Sequence, residues 1–233
     1  MMISARAWDN YIKRLRRINN TAVAAMVKRL ESVDILNIAD SERTEIIRYA
    51  YYLAQKYGEA SAALSCEMYD ALAQLTGGAI FPAEPAAGAT YAEVAKAVNG
   101  TIKTGNKDIV SQAIGRLVKM TGVDTTMQNA LRDGAEWAWI PRGETCAFCI
   151  TLASRGWQPA SRQALKNGHA EHIHANCDCT YAIRFDDSEV SGYDPEKYAK
   201  MYYGASDGNS KDKINAMRRM FYAENHTEET DIS

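Results

Sequence analysis

Four of the five cysteines and three of the four histidines lie in residues 142–180. Cys146 and Cys149 form a C-x-x-C pair, which places two thiols on one tight turn at the spacing that a tetrahedral metal uses. Cys177 and Cys179 form a second, closer pair after a gap of 27 residues. If the four thiols act together, the chain must fold so that this turn meets a segment much later in the sequence.

Zinc is the first ligand to consider, because thiolates and imidazoles are the donors that it prefers. The donors outnumber what one ion needs, since His172 and His174 precede the second cysteine pair. Few large apolar side chains lie between Arg155 and Cys177, so a metal would contribute folding energy that packing cannot supply. We expect one structural Zn²⁺, held by a set drawn from Cys146, Cys149, His174, Cys177 and Cys179.

Other states of the same cysteines stay open. The thiols can pack in reduced form as small apolar groups, or they can form one or two disulfides that close the same loop. A redox-active C-x-x-C is less favoured, because a thioredoxin-like motif follows a strand in a βαβ unit and no such pattern surrounds Cys146. The N-terminal segment is too charged for a secretory signal, so a reducing compartment is expected.

Composition predicts an ordinary globular protein. Of the 233 residues, 46% are hydrophobic and 24% are charged, which is enough for one large or two small domains. No apolar run approaches the roughly 20 residues that span a membrane, so we expect a soluble protein without a membrane partner. Residues 1–30 carry seven Lys or Arg and one acid, although the net charge is −2. The chain is therefore not a general nucleic-acid binder, but one basic segment can touch phosphates.

Hydrophobic periodicity predicts a helical N-terminal half. Apolar residues recur at intervals of three and four from Arg6 to Leu30, which indicates a long amphipathic helix. Most of its basic side chains lie off the apolar stripe, where they form either a solvated face or a surface for DNA or a protein partner. A second helical region begins at Asp40 or Ser41 and runs to about Leu75, with Gly58 as a candidate break.

Helix signals continue through the rest of the chain. After the Pro- and Ala-rich loop at 81–88, Thr90 and Glu93 match a capping box. Thr121-Gly122 predicts a turn between two helices, and Asp194-Pro195 is a typical helix start. The expected helices cover residues 90–102, 107–120, 124–137, 161–166 and 194–203, with a last one from Ser210.

Two short segments are typical of strands. Residues 137–140 are aromatic and end at Pro141, and residues 179–185 alternate in polarity. Antiparallel pairing of these segments would bring the two cysteine pairs together. The predicted fold class is therefore mainly α, with a multi-helix N-terminal body and a small α+β, cysteine-rich C-terminal subdomain that contains the strand pair.

The chain divides into five predicted regions. Loops, composition and the cysteine pattern set their limits. They are an N-terminal helical region (1–80), a central helical region (81–136), a Cys/His-rich subdomain (137–186), C-terminal helices (187–224) and a disordered acidic tail (225–233).

Most local signatures of enzymes are missing from the sequence. It has no G-x-S-x-G elbow, Walker loop, G-x-G-x-x-G fingerprint or H-E-x-x-H pair. A thiol enzyme would need a histidine base, and a zinc enzyme could use Glu144 or Glu171. His169-Ala170-Glu171 resembles the H-x-E of nucleotide deaminases, but those proteins continue with P-C-x-x-C, whereas this chain has C-x-C. We expect that the chain is not an enzyme.

The motifs GETCAFCITLASRG and HANCDCT resemble the C-terminal signature of phage minor capsid, or minor head, proteins of the Mu F-like family. The preceding YGEASAALSCEMYDAL, the Pro/Ala-rich loop and the long first helix are similar to actinobacteriophage-type members, so the resemblance covers most of residues 6–203. It implies a structural role in head assembly, at the portal or in the capsid interior, in few copies. The expected location is the virion head, and the host cytoplasm during assembly.

The family's motif falls on Cys146, Cys149, His174, Cys177 and Cys179, with Ser154-Arg155-Gly156 completing the first block. Trp157 and the histidine-rich stretch at 169–172 depart from the pattern, which leaves the identity of any histidine ligand open. The implied partners are the portal protein or the inner capsid surface, and packaged DNA through the basic first helix. Two alternatives remain: a zinc-containing nucleic-acid-binding module, and a thiol or zinc enzyme.

Overall fold

The computed structural model describes residues 2–78, 81–142, 145–163 and 177–227. Its elements in chain order are β1 (Met2–Ile3), α1 (Ala5–Leu30), α2 (Asp40–Leu75), α3 (Tyr91–Ile102), α4 (Lys107–Asp133), β2 (Glu136–Ile140), α5 (Ala147–Ala153), β3 (Gln158–Pro159), β4 (Thr180–Arg184), β5 (Glu189–Val190), α6 (Pro195–Gly204) and α7 (Ser210–Thr227). The predicted fold class, a helical body with a small α+β part that carries the cysteines, is confirmed.

Local sequence signals start several of these helices. Thr90 and Glu93 form the expected capping box, with the Glu93 carboxylate accepting the Thr90 N–H at 2.7 Å. Asn106 caps α4 by accepting two backbone N–H groups, and Asp194 caps α6 with Pro195 at its first position. These side chains satisfy donors that a helix leaves unpaired, so the starting points were predictable from the sequence.

Helix α4 is one continuous helix, and the predicted turn at Thr121-Gly122 between helices 107–120 and 124–137 is wrong. Gly122 lies instead where α2 approaches most closely. A Cβ atom at this position would be 2.5 Å from Ser61 Oγ and 2.8 Å from Ser65 Oγ. The glycine therefore makes room for a neighbouring helix.

The expected break at Gly58 is wrong for the same reason, because α2 runs unbroken through it. A Cβ atom on Gly58 would lie 3.0 Å from the Thr121 hydroxyl of α4. Gly58 and Gly122, where the sequence predicted a helix break and a turn, are thus sites of contact between α2 and α4. Packing against a partner helix offsets the roughly 1 kcal/mol that glycine costs inside a helix.

Gly122→Ala tests this close approach. We expect it to lower the free energy of unfolding by about 1–3 kcal/mol, because the added methyl group must displace two serine side chains of α2. Gly100→Ala in α3 is the matched control: nothing lies within 4 Å of its added Cβ, so it should raise stability by about 0.5–1 kcal/mol. Urea unfolding of both variants measures the difference, and equal effects would contradict the packing role of Gly122.

Helices α1, α2 and α4 run through two hydrophobic clusters. The N-terminal half of α1 packs with the C-terminal halves of α2 and α4 and with the sheet. The other halves of these three helices pack with α3. Helix α1 is therefore antiparallel to α2 and α4, and its first half lies beside the cysteine region. The largest fully buried side chains include Trp8, Tyr69, Trp139, Tyr181, Met26 and Leu30.

The three-stranded sheet has the order β3-β2-β4. Strands β2 and β4 are antiparallel, with Trp139 opposite Tyr181, which confirms the predicted pairing of these segments. The two rings meet edge to face with centroids 4.6 Å apart. Strand β1 pairs in parallel with β5 outside this sheet. The β2–β4 pair is the frame that brings residues 146–149 and 177–179 into one region.

Helices α6 and α7 cover the outer side of α5. Tyr202 of α6 and Met217 of α7 are buried against Ala147 and Ile150. The predicted start of the last helix at Ser210 is confirmed; that helix extends to Thr227, and the tail at 228–233 lies outside the described residues. Residues 164–166 of the expected small helix also lie outside them. No helix in the described part combines the length and apolar character needed to cross a membrane.

Candidate metal centre

The first cysteine pair lies where the chain leaves β2 and enters α5. Cys146 is the N-cap residue of α5, and its Sγ accepts the backbone N–H of Cys149 at 3.5 Å. The C-x-x-C spacing thus puts Cys149 in the first turn of α5, with Cys146 immediately before it. Cys149 is buried in the same hydrophobic cluster as Trp139 and Tyr181, so its thiol lies inside the protein.

The second pair lies directly before β4, and its C-x-C spacing has a simple structural reason. Side chains two residues apart in an extended chain point to the same side. Cys177 and Cys179 are both buried, whereas Asp178 between them contacts Arg16 of α1. Two thiols can therefore face Cys149 while the intervening carboxylate faces the helical body.

The structure brings three of the predicted residues to one point. The Sγ atoms of Cys149, Cys177 and Cys179 all lie within 4.8 Å of one another. The Sγ atoms of Cys149 and Cys177 are 3.2 Å apart. Two sulfurs bound tetrahedrally to one zinc ion at about 2.3 Å are roughly 3.8 Å apart, so an ion would fit after Cys149 and Cys177 separate by about 0.6 Å. The 3.2 Å separation exceeds the roughly 2.05 Å of a disulfide bond, and all five cysteines are free thiols.

Hydrogen bonds among the thiols divide their protons unequally. The pKa of Cys177 lies below its usual range, because the thiols of Cys149 and Cys179 donate to it and the Lys119 ammonium group is near. The pKa of Cys149 lies above its usual range, because of its hydrogen bonds to Cys146 and Cys177 and its burial. The cluster thus favours one thiolate held by neighbouring thiols. A soft metal ion would bind the sulfurs as thiolates and release the protons that the thiols share.

The remaining predicted residues fall into two groups. Cys146 is half-buried beside the cluster, and its side chain is hydrogen-bonded to Cys149. His174 lies outside the described residues, as do His169, His172, Glu144 and Glu171. The structure therefore places three thiols together with Cys146 next to them. Whether Cys146 or His174 is a further ligand stays a prediction.

Two cations at the cluster were not predicted to take part in it. The sequence predicts that Arg16 lies with the other basic residues of α1 on a face open to solvent or to a partner. In the structure, Arg16 forms an ion pair with Asp178. Lys119 of α4 donates a hydrogen bond to the Cys177 carbonyl oxygen. The acid inside C-x-C is a sequence signal for the Arg16 contact alone, since a carboxylate in a buried segment needs a partner. Lys119 donates to a backbone carbonyl group, for which the sequence carries no signal.

A cavity of about 260 Å³ lies beside the second cysteine pair. Its walls come from α1, α2, α4 and the segment before β4. They combine apolar side chains such as Ile12 and Val118 with the hydroxyl-bearing residues Ser61, Ser65 and Thr180. The segment that carries Cys177 and Cys179 therefore borders open space on the side of the helical body.

The fold and the site together define a helical protein with a buried thiol cluster between α5 and β4. A sequence model of the VG15 protein family matches residues 2–205, and the chain belongs to this family. VG15 is a family of viral gene products, which agrees with the expected phage origin. No curated protein and no solved structure matches the chain.

Proposed function

We propose that this chain is a minor capsid protein of phage head morphogenesis, of the Mu F-like type, with a structural role at the portal or the inner capsid surface. Membership of a viral family and the cysteine motifs support the proposal. The observation that carries the structural role is the burial of the cluster, with Cys149, Cys177 and Cys179 exposed by only 1%, 6% and 0%. A catalytic zinc keeps one position open to substrate, whereas a structural zinc is enclosed.

Zinc is the ion that we propose for the cluster. Three thiolates select soft or borderline ions, and zinc is the one that proteins most often use in enclosed sulfur sites. Among the described residues, Cys146 is the candidate for a fourth donor, because its side chain already contacts Cys149. His174 would serve instead if residues 164–176 bring it to the cluster.

The metal would add a direct link between two parts of the chain that the β2–β4 pair already brings together. Cys149 is on α5, and Cys177 and Cys179 precede β4, with 27 residues between Cys149 and Cys177. Because the ligands come together only in the folded chain, metal binding at this loop would stabilise the folded state by its binding free energy. A head protein with this bridge would present α5, α6 and α7 as one rigid unit with the helical body.

The basic face of α1 is the proposed docking surface for the portal. Arg14 and Arg16 are in ion pairs with Glu67 and Asp178, so their charges are partly neutralised within the chain. Lys13 and Arg17 are exposed, and neither makes an ion pair with another described residue. These two side chains are therefore the better probes of an electrostatic contact.

Co-purification with the portal ring of the same phage tests the docking proposal. We expect the wild-type chain to bind the ring and Lys13→Glu/Arg17→Glu to bind it about ten-fold more weakly, since rim charges steer and orient such contacts. Lys96→Glu/Lys103→Glu makes the same charge change at exposed positions of α3 and its C-cap and should bind normally. Equal binding by both variants, or salt-dependent binding to DNA without binding to the ring, would contradict the proposal.

A further inference from the structure

Two helices of the N-terminal body make polar contacts with the segment that carries the second cysteine pair. Lys119 of α4 donates to the carbonyl oxygen of Cys177, and Arg16 of α1 binds the carboxylate of Asp178. Next along the chain, Thr180 interacts with the Tyr11 hydroxyl of α1, which itself contacts Ser65 of α2 at 3.2 Å. A short stretch of the chain is thus held by polar contacts from α1 and α4.

The contact between Arg16 and Asp178 has the geometry of a strong ion pair. Arg16 Nε lies 3.0 Å from one carboxylate oxygen and an Nη atom lies 2.5 Å from the other, so the guanidinium meets the carboxylate at two points. The Asp178 side chain is only 14% exposed. Arg14, on the same helix as Arg16, forms a one-point pair with Glu67 of α2, and both of these side chains are 61% exposed. Exposed pairs contribute little, so the two arginines are a natural comparison.

Packing does not position the segment by itself. The cavity of about 260 Å³ lies between it and the helices, and Cys177, Asp178 and Cys179 form part of the cavity wall. Cys177 and Cys179 belong to the buried hydrophobic cluster, but on the side that faces the cavity the two cations provide the polar contacts with α1 and α4. Arg16 and Lys119 also line this cavity, so the polar contacts bridge the space that apolar contacts leave.

We infer that Arg16 and Lys119 are positioning residues of the metal centre, which hold Cys177-Asp178-Cys179 so that both sulfurs face Cys149 before a metal binds. This inference rests on the proposed metal centre. A preformed ligand set binds metal more tightly, because the entropy cost of ordering the segment has already been met in the metal-free fold. Partners outside the ligand shell commonly change metal affinity by about 10–100-fold.

The same contacts couple the metal to helix α1. Coupling between two events is reciprocal, so if the Arg16 contact strengthens metal binding, then metal binding strengthens the contact of α1 with the segment before β4. The zinc-loaded chain should therefore exchange amide hydrogens in the first half of α1 more slowly than the metal-free chain. In Arg16→Gln, zinc should no longer slow this exchange.

Zinc competition with a chromogenic chelator tests the inference on the full chain. We expect Arg16→Gln and Lys119→Met each to weaken zinc binding by about ten-fold. Arg14→Gln, which removes the exposed pair with Glu67, should bind zinc as the wild type does. At saturating Co²⁺ the absorption spectrum of every variant should be that of the wild type, because the ligands are the same. Arg16→Lys should recover part of the affinity.

A double-mutant cycle separates a positioning role from a general loss of stability. Asp178→Asn and Arg16→Gln should each weaken zinc binding, and the double variant should be no weaker than the worse single one. Additive losses, unchanged affinity in Arg16→Gln, or an equal loss in Arg14→Gln would overturn the inference while leaving the metal centre intact. A wild-type chain that binds neither Zn²⁺ nor Co²⁺ would overturn both.

Discussion

Cys149→Ser is expected to abolish zinc binding and to destabilise the region of the chain after Pro141. A serine hydroxyl does not replace a thiolate as a zinc ligand, and Cys149 is the only cluster member on α5 among the described residues. If free zinc exceeds its dissociation constant by about 1,000-fold, binding stabilises the fold by about 4 kcal/mol. The melting temperature should then fall by roughly 8–16 °C in the variant.

Limited proteolysis and calorimetry measure this effect. The region after Pro141 should become sensitive to protease, while α3 and the halves of α1, α2 and α4 that pack with it stay protected by their hydrophobic cluster, which contains no residue after Pro141. A chelator or acid pH should do the same to the wild type, because the ligands must be deprotonated to bind metal.

Cys66→Ser is the matched control for the loss of a thiol. Cys66 is half-buried in α2, away from the cluster, and burial raises its pKa, as for an inert thiol. This variant should keep its zinc and its melting temperature within about 2–4 °C of the wild type. If Cys149→Ser and Cys66→Ser behave alike, the cluster has no special part in stability.

Trp139→Ala should be the most damaging single change outside the cluster. Its side chain is 1% exposed and contacts the Tyr181 ring in the strand pair that brings the two cysteine segments together. Removing a buried tryptophan leaves a large cavity and costs about 3–5 kcal/mol. Urea unfolding should show this loss in the metal-free protein as well, since the contact is independent of the ion.

Tyr203→Ala is the control for the loss of a large aromatic side chain. Tyr203 of α6 is 65% exposed, so its removal should change stability by no more than about 0.5 kcal/mol. A small effect of Trp139→Ala, similar to that of Tyr203→Ala, would mean that the β2–β4 pair does not hold the cysteine region in place.

The sequence predicted the helices whose ends carry a local signal. Thr90 with Glu93 and Asp194 with Pro195 satisfy unpaired N–H groups by themselves, so the sequence alone was sufficient there. The predicted interruptions at Gly58 and Gly122 are wrong, because these glycines allow α2 and α4 to approach closely. Nothing local distinguishes a glycine that ends a helix from one that makes room for a partner.

The candidate site was predictable in part, for a similar reason. The predicted antiparallel pairing of residues 137–140 with 179–185 would bring the two cysteine pairs together, and Cys149, Cys177 and Cys179 do meet. The contact of Arg16 with Asp178 joins residues 162 positions apart, and no periodicity relates them. Only the tertiary packing of α1 against the segment before β4 shows that this arginine belongs to the site.

Metal analysis of the purified wild-type chain tests the central claim most directly. We expect about one equivalent of zinc per chain, lost together with the order of the region after Pro141 when a chelator is added. Less than about one-tenth of an equivalent, with that region still resistant to protease, would show that packing or disulfides hold the loop and that the cluster is not a metal centre.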